Sequence, residues 1–312
     1  MTSLTDQNHI GSNTWLLKET KGATLFDKFI LNSLKVIYLG LRFLLRILLG
    51  KKRRDRLYAE KEINFRDFLY KSIEFLGLDN SLLIVFNIPK YNIKFYSRIT
   101  RKVENFLIHD VYTSMSVHEN DIVEHFNLKQ GDIVVDVGAA FGFYTILASK
   151  RVGSRGKVIA IEAQHDSFEM LNRNIKLNRL TNVITLNCAV YSKETKVKLY
   201  SSYSIMTERA GKNTNKFVEV NANTLDNLLS QQQNGINHAD INWIKIDVEG
   251  AEFEVLKGAT NILSNSKSIA LLVEIHGQDS YRQVVEFLNV YNFKIEFEKT
   301  YGNGDKHIIV RK

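Results

Sequence analysis

The chain predicts a doubly wound α/β sheet, and three features carry that expectation. Ile133-Val-Val-Asp-Val137 is an apolar run that breaks on Gly-Ala-Ala-Phe-Gly142, the pattern of a buried parallel strand turning tightly into a helix. Apolar runs near 133–137, 157–161, 183–188, 242–247, 269–275, 292–298 and 306–311 are mostly separated by helical segments, and strands alternating with helices build a doubly wound sheet. The last two runs are joined only by Tyr301-Gly-Asn-Gly-Asp305. A parallel pair needs a crossover of a dozen or more residues, so this ending is an antiparallel hairpin.

From the N-terminus, residues 1–60 form a helical extension, 61–116 a helix followed by a small β-hairpin, and 117–312 the sheet domain. Phe29 to Leu49 is mostly Leu, Ile, Phe and Val, interrupted by Lys35, Arg42 and Arg46. At helical spacing Lys21, Lys28, Asn32, Lys35, Arg42, Arg46 and Arg53 fall along one line, a narrow basic stripe on an apolar rod. A membrane span carrying three cations would meet a cost of about 2.5–3.5 kcal/mol for each. The stripe and the cluster Lys51-Lys-Arg-Arg54 suit a helix lying in the membrane interface, with peripheral contact through residues 28–54. Packing of the same helix on the protein or on a second subunit is the other reading. Glu62 to Leu76 reads as a second amphipathic helix. Leu82–Ile88 and Asn92–Tyr96 read as two strands turned at Pro89, the chain's single proline, a hairpin placed to cap a site. Val117 to Phe126 is a helix leading into the core.

Within the core the glycine turn marks a ligand position. About twenty residues beyond Gly142 the run Val158–Ile161 ends on Glu162, where a carboxylate at a strand tip can accept both hydrogens of a ribose diol. The spacing is not that of a dinucleotide fingerprint, since Gly138 and Gly142 are separated by Ala139, Ala140 and Phe141. Asp136 stands just before the turn, where it would repel a diphosphate and attract the sulfonium and ammonium groups of S-adenosylmethionine, directly or through water. The cofactor positions are assigned to Asp136, Gly138, Ala139, Phe141 and Gly142, then Glu162 and Ala163, then Cys188 and Ala189 at the end of the third run. Cys188, the single cysteine, reads as a small buried hydrophobe in that strand. Lys196–Tyr200 and Phe217–Asn221 read as an added hairpin around the loop Ser201–Lys216, which either lines the substrate mouth or is a plain surface excursion.

Further blocks follow in order: Met170-Leu-Asn-Arg-Asn-Ile-Lys-Leu-Asn-Arg, Asn182 to Val190, Asn223 to Leu229, Trp243 to Glu252, Leu256 to Ala259 and Leu271 to His276. Together they resemble the FkbM family of S-adenosylmethionine-dependent methyltransferases over roughly residues 117–312, and Lys245-Ile-Asp-Val-Glu-Gly250 is the most specific element. One departure is Ala163, where the family usually has proline. The resemblance implies a seven-stranded Rossmann-like methyltransferase sheet with its last strand antiparallel. It also implies O-methylation of a hydroxyl on a sugar, glycolipid or other small molecule.

In-line methyl transfer asks the protein to hold an acceptor near the methyl and to manage a hydroxyl proton. Ligands in such sheets bind beyond the carboxyl ends of the strands, where Asp136, Asp247, Glu249, Glu274 and His276 are expected. Asp247 is assigned to positioning the acceptor. Glu249 shares that role or caps the following helix. His276 is a general base near neutral pH or a structural histidine. Asp247 and Glu249 alone do not make a metal site, and none is assigned. Methylases of exocyclic amines usually carry [ND]-P-P-[YF]; here Ile246-Asp-Val-Glu stands in that place.

The net charge of +8 is uneven: residues 1–60 hold eleven Lys/Arg against five Asp/Glu, leaving 31 against 29 for the rest. A nearly neutral catalytic domain argues against a nucleic-acid partner. One cysteine excludes an intramolecular disulfide, and no cleavable leader is evident, so the cytoplasm is expected, at the inner membrane surface if the basic helix lies there. A membrane-tethered protein that binds the cofactor without turnover is the alternative function.

Overall fold

The computed structural model describes residues 83–98, 120–200, 217–231, 236–301 and 304–312, together with residues 33, 36 and 37. The chain divides into two compact units, Met1–His118 and Glu119–Lys312. In the first, β1 (Leu83–Ile88) and β2 (Ile93–Arg98) pair antiparallel across a short 3-10 turn, Pro89–Tyr91. Proline's fixed φ suits the start of that turn. Residues 33, 36 and 37 are helical, and Val36 and Ile37 are exposed. The remainder of the basic helix, the helix expected at 62–76 and the loop at 201–216 lie outside the described residues. Among the described residues no helix is long and apolar enough to cross a membrane.

The second unit opens with α1 (Asn120–His125), β3 (Ile133–Val137), α2 (Phe143–Val152), β4 (Lys157–Ile161), α3 (His165–Leu177) and β5 (Val183–Leu186). A three-stranded insertion follows: β6 (Ala189–Val190), β7 (Thr195–Tyr200) and β8 (Phe217–Asn223). The chain then returns through α4 (Leu225–Ser230), β9 (Ile241–Ile246), α5 (Glu252–Lys257), α6 (Thr260–Asn265), β10 (Ala270–Ile275), α7 (Gln278–Val290), β11 (Lys294–Thr300) and β12 (Lys306–Arg311). The main sheet has the order β11-β12-β10-β9-β3-β4-β5. β3, β4, β5, β9 and β10 run parallel, and β12 is antiparallel to both its neighbours. This is the predicted doubly wound sheet with its terminal hairpin.

The central strands are buried almost throughout, which is why they read as continuous apolar runs rather than as alternating patterns. Val135, Ile159, Ile244, Leu271 and Val273 belong to one continuous apolar core. The amphipathic α3 starts on Gln164, whose side chain accepts from the Ser167 N–H, and α4 starts on Thr224, which accepts from Asn227. Asn182 ties the ends of two loops: its Nδ2 donates to Gly153 O at 2.8 Å and to Ser149 O at 3.2 Å.

One expectation needs correction. The third strand ends at Leu186, not at 188, and Cys188 is half-buried outside any strand. The cause is Asn187, whose Nδ2 donates to the carbonyls of Glu162 (2.8 Å) and Ala163 (3.2 Å). That bond turns the chain away from the main sheet and toward β6. The Cys188 thiol then lies 3.2 Å from the carbonyl oxygens of Ala189 and Asn221.

Candidate active site

The register places four strand tips on one edge. Val137 pairs with Ile161 on one side and with Ile246 on the other, and Ile246 pairs with Val273. The residues that follow, Gly138, Glu162, Asp247 and Glu274, therefore emerge together at the carboxyl end of the sheet, with His276 just past the end of β10 at Ile275. β3 lies between β4 and β9, so the Gly138 turn occupies the point where strand order reverses and a ligand crevice forms.

Gly138 and Gly142 are required by contact as well as by conformation. Both have positive φ, +77° and +92°, and a Cβ on Gly138 would come within 1.7 Å of the Asp247 carbonyl oxygen. The tips of β3 and β9 thus touch through a glycine. Within the turn the backbone donors are already used. Gly138 and Ala139 N–H both donate to Ile161 O, Gly142 N–H to Ala139 O, and Ala140 N–H to Glu162 Oε2 at 2.7 Å. A pyrophosphate would find none of those four groups available, which separates this turn from a dinucleotide loop.

Glu162 is the fixed acceptor of the crevice. Its Oε1 accepts the Gln164 N–H at 2.8 Å, so each carboxylate oxygen holds one backbone donor and keeps a lone pair for another. Burial raises its pKa, and the N–H groups of Gln164 and Ala140 oppose that rise. This pair of acceptor oxygens fits the two hydroxyls of the ribose diol of S-adenosylmethionine. Ala163 and Ala189 pack together in a small apolar cluster with Val197 and Ala222, and Asn187 holds that segment against Glu162. Phe141 is half-buried, and its carbonyl accepts from Asn174 Nδ2 at 2.9 Å. Ala139 is buried against Ala160, Leu171 and Ile175, so it shapes the turn from below.

Asp136 does not stand on the crevice surface. Its carboxylate is only 1% exposed and accepts from the Thr145 hydroxyl, while Oδ1 lies buried without a hydrogen-bond partner, 3.9 Å from Lys245 Nζ. Burial raises the Asp136 pKa, and Lys245 and Thr145 pull it back. Asp136 therefore acts from beneath the turn, on Lys245 and Thr145, because the apolar strand on which it sits is covered on both faces.

Lys245 is the residue that sequence reasoning passed over. Its ammonium sits 2.9 Å from Asp247 Oδ2 and 5.1 Å from the centre of the Tyr144 ring, with its side chain 6% exposed. Burial disfavours the charge, but the carboxylates of Asp247, Asp136 and Glu274 outweigh it and hold the pKa above that of an ordinary lysine. For Asp247, burial works to raise the pKa, and Lys245 and His276 overcome it, leaving the carboxylate below its usual range. The available signal was a lysine set between Ile244 and Ile246 in the buried, largely apolar end of a strand.

The structure brings Asp247, Glu249 and His276 together, each offering an atom within 4.8 Å of the others. His276 Nδ1 bonds Glu252 Oε1 at 2.8 Å, and its Nε2 faces Glu249 Oε2 and Glu274 Oε1, each at 3.6 Å. Glu252, buried at 0% exposure, is a second residue that the sequence reading gave no role. It opens α5, and the same oxygen accepts the Gly250 N–H at 2.8 Å. Glu249 stands ahead of that helix in the left-handed region, φ +55°, a conformation a glutamate adopts only at a cost of about 1–3 kcal/mol. Burial lowers the His276 pKa, but the hydrogen bond to Glu252 and the carboxylates around it carry it to about 9. At neutral pH this imidazole is therefore protonated, and it takes up a proton only after losing one.

A family model for the methyltransferase FkbM domain matches residues 136–297, a little over half of the chain. Methyltransferase sdnD of Sordaria araneosa is 29% identical over 197 residues, covering 52% of this chain and 71% of that protein. Hexuronic acid methyltransferase AglP of Haloferax volcanii is 26% identical over 185 residues, covering 58% of this chain and 71% of its own. Among solved structures, a SAM dependent methyltransferase from Aquifex aeolicus aligns with a TM-score of 0.42 at 16% identity, over 66% of this chain and 96% of that one. With the strand-tip acid, the glycine turn and the matched domain in place, the chain belongs to the FkbM family of S-adenosylmethionine-dependent methyltransferases.

Proposed function

We propose that this enzyme methylates a hydroxyl oxygen on a sugar, glycolipid or other small molecule. The observation that carries the reading is the cluster of Asp247, Glu249, Glu274 and His276 at the tips of β9 and β10, beside the Gly138 turn. S-Adenosylmethionine, bound over that turn with Glu162 on its ribose, supplies an electrophilic methyl on a neutral leaving group. The protein's share is to orient the acceptor and withdraw its proton. Asp247, locked by Lys245, accepts a hydrogen bond from the acceptor hydroxyl and aims its oxygen. Glu249 and His276 complete the polar wall. With three carboxylates facing it, the pocket favours a neutral hydroxyl over an acceptor carboxylate by like-charge repulsion. The name of the Haloferax relative, a hexuronic acid methyltransferase, supports an acceptor of the sugar class. The basic stripe of residues 28–54 supports a cytoplasmic membrane surface as the setting, and salt-sensitive co-sedimentation of the full chain with anionic vesicles tests it.

The reaction is tested with methyl-labelled S-adenosylmethionine and a panel of uronic acids, neutral sugars and glycolipid extracts. Label is expected in an alkali-stable methyl ether. An alkali-labile ester would move the acceptor to a carboxylate, and label on nitrogen would overturn the reading. Glu162→Ala is expected to weaken cofactor binding at least tenfold by calorimetry, and Asp247→Ala to lower kcat by about 100-fold with binding retained.

A further inference from the structure

We propose that Asp247, Glu249 and His276 form a divalent-cation site at the acceptor end of the crevice. His276 is the observation that takes the cluster beyond a patch of acids. Its side chain is 3% exposed. Nδ1 is tied to Glu252 Oε1 at 2.8 Å, and Nε2 has its nearest carboxylate oxygens at 3.6 Å, outside hydrogen-bond range. A carboxylate only accepts, so Nδ1 carries a hydrogen and Nε2 is the nitrogen turned to the cluster; a cation arriving there would displace the Nε2 proton and take its lone pair. A buried carboxylate holding the far nitrogen is how metal-binding histidines are oriented.

The spacing also fits. An octahedral cation holds oxygen and nitrogen donors about 3 Å apart when adjacent and about 4 Å when opposite. The three donor atoms lie within 4.8 Å of one another, so adjacent donors reach octahedral spacing by closing at most about 2 Å. Asp247 and Glu249 are partly exposed and His276 is buried, which anchors one side and leaves the other open to solvent or an acceptor. Two carboxylates and one imidazole, with no thiolate, match Mn2+ best, and Mg2+ through the oxygens. Lys245 balances Asp247 and Asp136, and Glu274 faces His307 at 3.1 Å. A cation there polarises the acceptor hydroxyl, whose proton then passes to solvent water at a lower pH than it otherwise would.

This deepens the O-methylation reading and rests on it, so the test separates the two. Mn2+ is titrated into the metal-stripped full-length protein without cofactor, and free Mn2+ is read by electron paramagnetic resonance. One ion per chain is expected with Kd below about 100 μM, weakened at least tenfold by Glu249→Gln and by Asp247→Asn, and unchanged by Glu194→Gln on the exposed surface. Circular dichroism of each variant reports folding independently. Binding weaker than 1 mM, or binding indifferent to both cluster substitutions, overturns the site. Methyl transfer that persists undiminished in EDTA removes the cation and leaves the methyltransferase reading standing. Failure of the cofactor to bind the stripped protein and the Mn2+-loaded protein alike removes the acceptor assignment and, with it, the cation's role.

Discussion

At the scale of single residues the site depends on Lys245, held between two acids. Its removal leaves Asp136 buried beneath the turn with no cation nearby. Breaking a buried pair from one side typically costs about 3–5 kcal/mol. Lys245→Met is expected to lower unfolding free energy by about 3 kcal/mol in urea titrations and to raise the Asp247 pKa. A loss below about 1 kcal/mol would show that Asp136 is protonated and needs no partner. His276 gives the pH dependence of the metal-free protein. Its folded-state pKa of about 9 lies above the ordinary 6.5, so its contribution is complete below about pH 6.5 and is lost as pH rises through 9. The denaturation midpoint in EDTA should therefore fall between pH 7 and 10, and NMR of the imidazole should give a pKa near 9. A midpoint flat across that range would contradict the contact with Glu252. Asp247, Glu249 and His276 could be picked out in the sequence because polar groups directly after apolar runs mark strand tips. Lys245 and Glu252 could not, since one lies within a strand and the other opens a helix, and only the folded contacts reveal their partners.

At the scale of elements, the approach of β3 to β9 through Gly138 is the tightest constraint on the crevice. Gly138→Ala would drive a methyl into the Asp247 carbonyl. The strands must part, the Asp247 backbone must shift, and cofactor affinity is expected to fall more than tenfold, with a stability loss of about 2 kcal/mol or more. Affinity within twofold of the parent would mean the tips can separate freely. Asn182→Ala should cost about 0.5–1.5 kcal/mol by removing the side-chain bonds to the Gly153 and Ser149 carbonyls, each of which keeps a backbone N–H. The order of strands and helices was legible because each central strand is buried on both faces and reads as an unbroken apolar run. The end of β5 was not, because residues 183–190 keep an apolar rhythm past Asn187, and only that side chain's bonds to Glu162 and Ala163 show where the chain leaves the sheet.

At the scale of the whole molecule, the sheet domain should fold without the N-terminal unit. Glu119–Lys312 forms a compact unit of its own, with a continuous core across its central strands. Trp243 reports on it. The indole is 2% exposed, stands edge-on to Phe126 at 5.0 Å and has the Arg311 guanidinium 5.1 Å from its ring centre. A 119–312 fragment is expected to show blue-shifted emission that moves red in one cooperative transition. Emission already red in buffer would mean the first unit is needed to close the core. The fold class was readable from the alternation of elements and the short final turn, which constrain topology regardless of detail. The setting of the first sixty residues rests on their charge pattern alone.

The turn at 138–142, with four of its N–H groups already bonded, has a consequence for selection among the molecules of a cell. Adenine nucleotides carry the same nucleoside as the methyl donor, so their discrimination depends on the tail. A loop with open amides would be drawn to the phosphates of ATP or NAD, and the enzyme would spend its time occupied by abundant impostors. Here the amides of 138, 139, 140 and 142 are consumed by Ile161, Ala139 and Glu162, and the acids of the crevice meet any phosphate with repulsion. By withholding those donors the protein is expected to discriminate against the common energy carriers, and millimolar ATP should leave its methyl-transfer rate untouched.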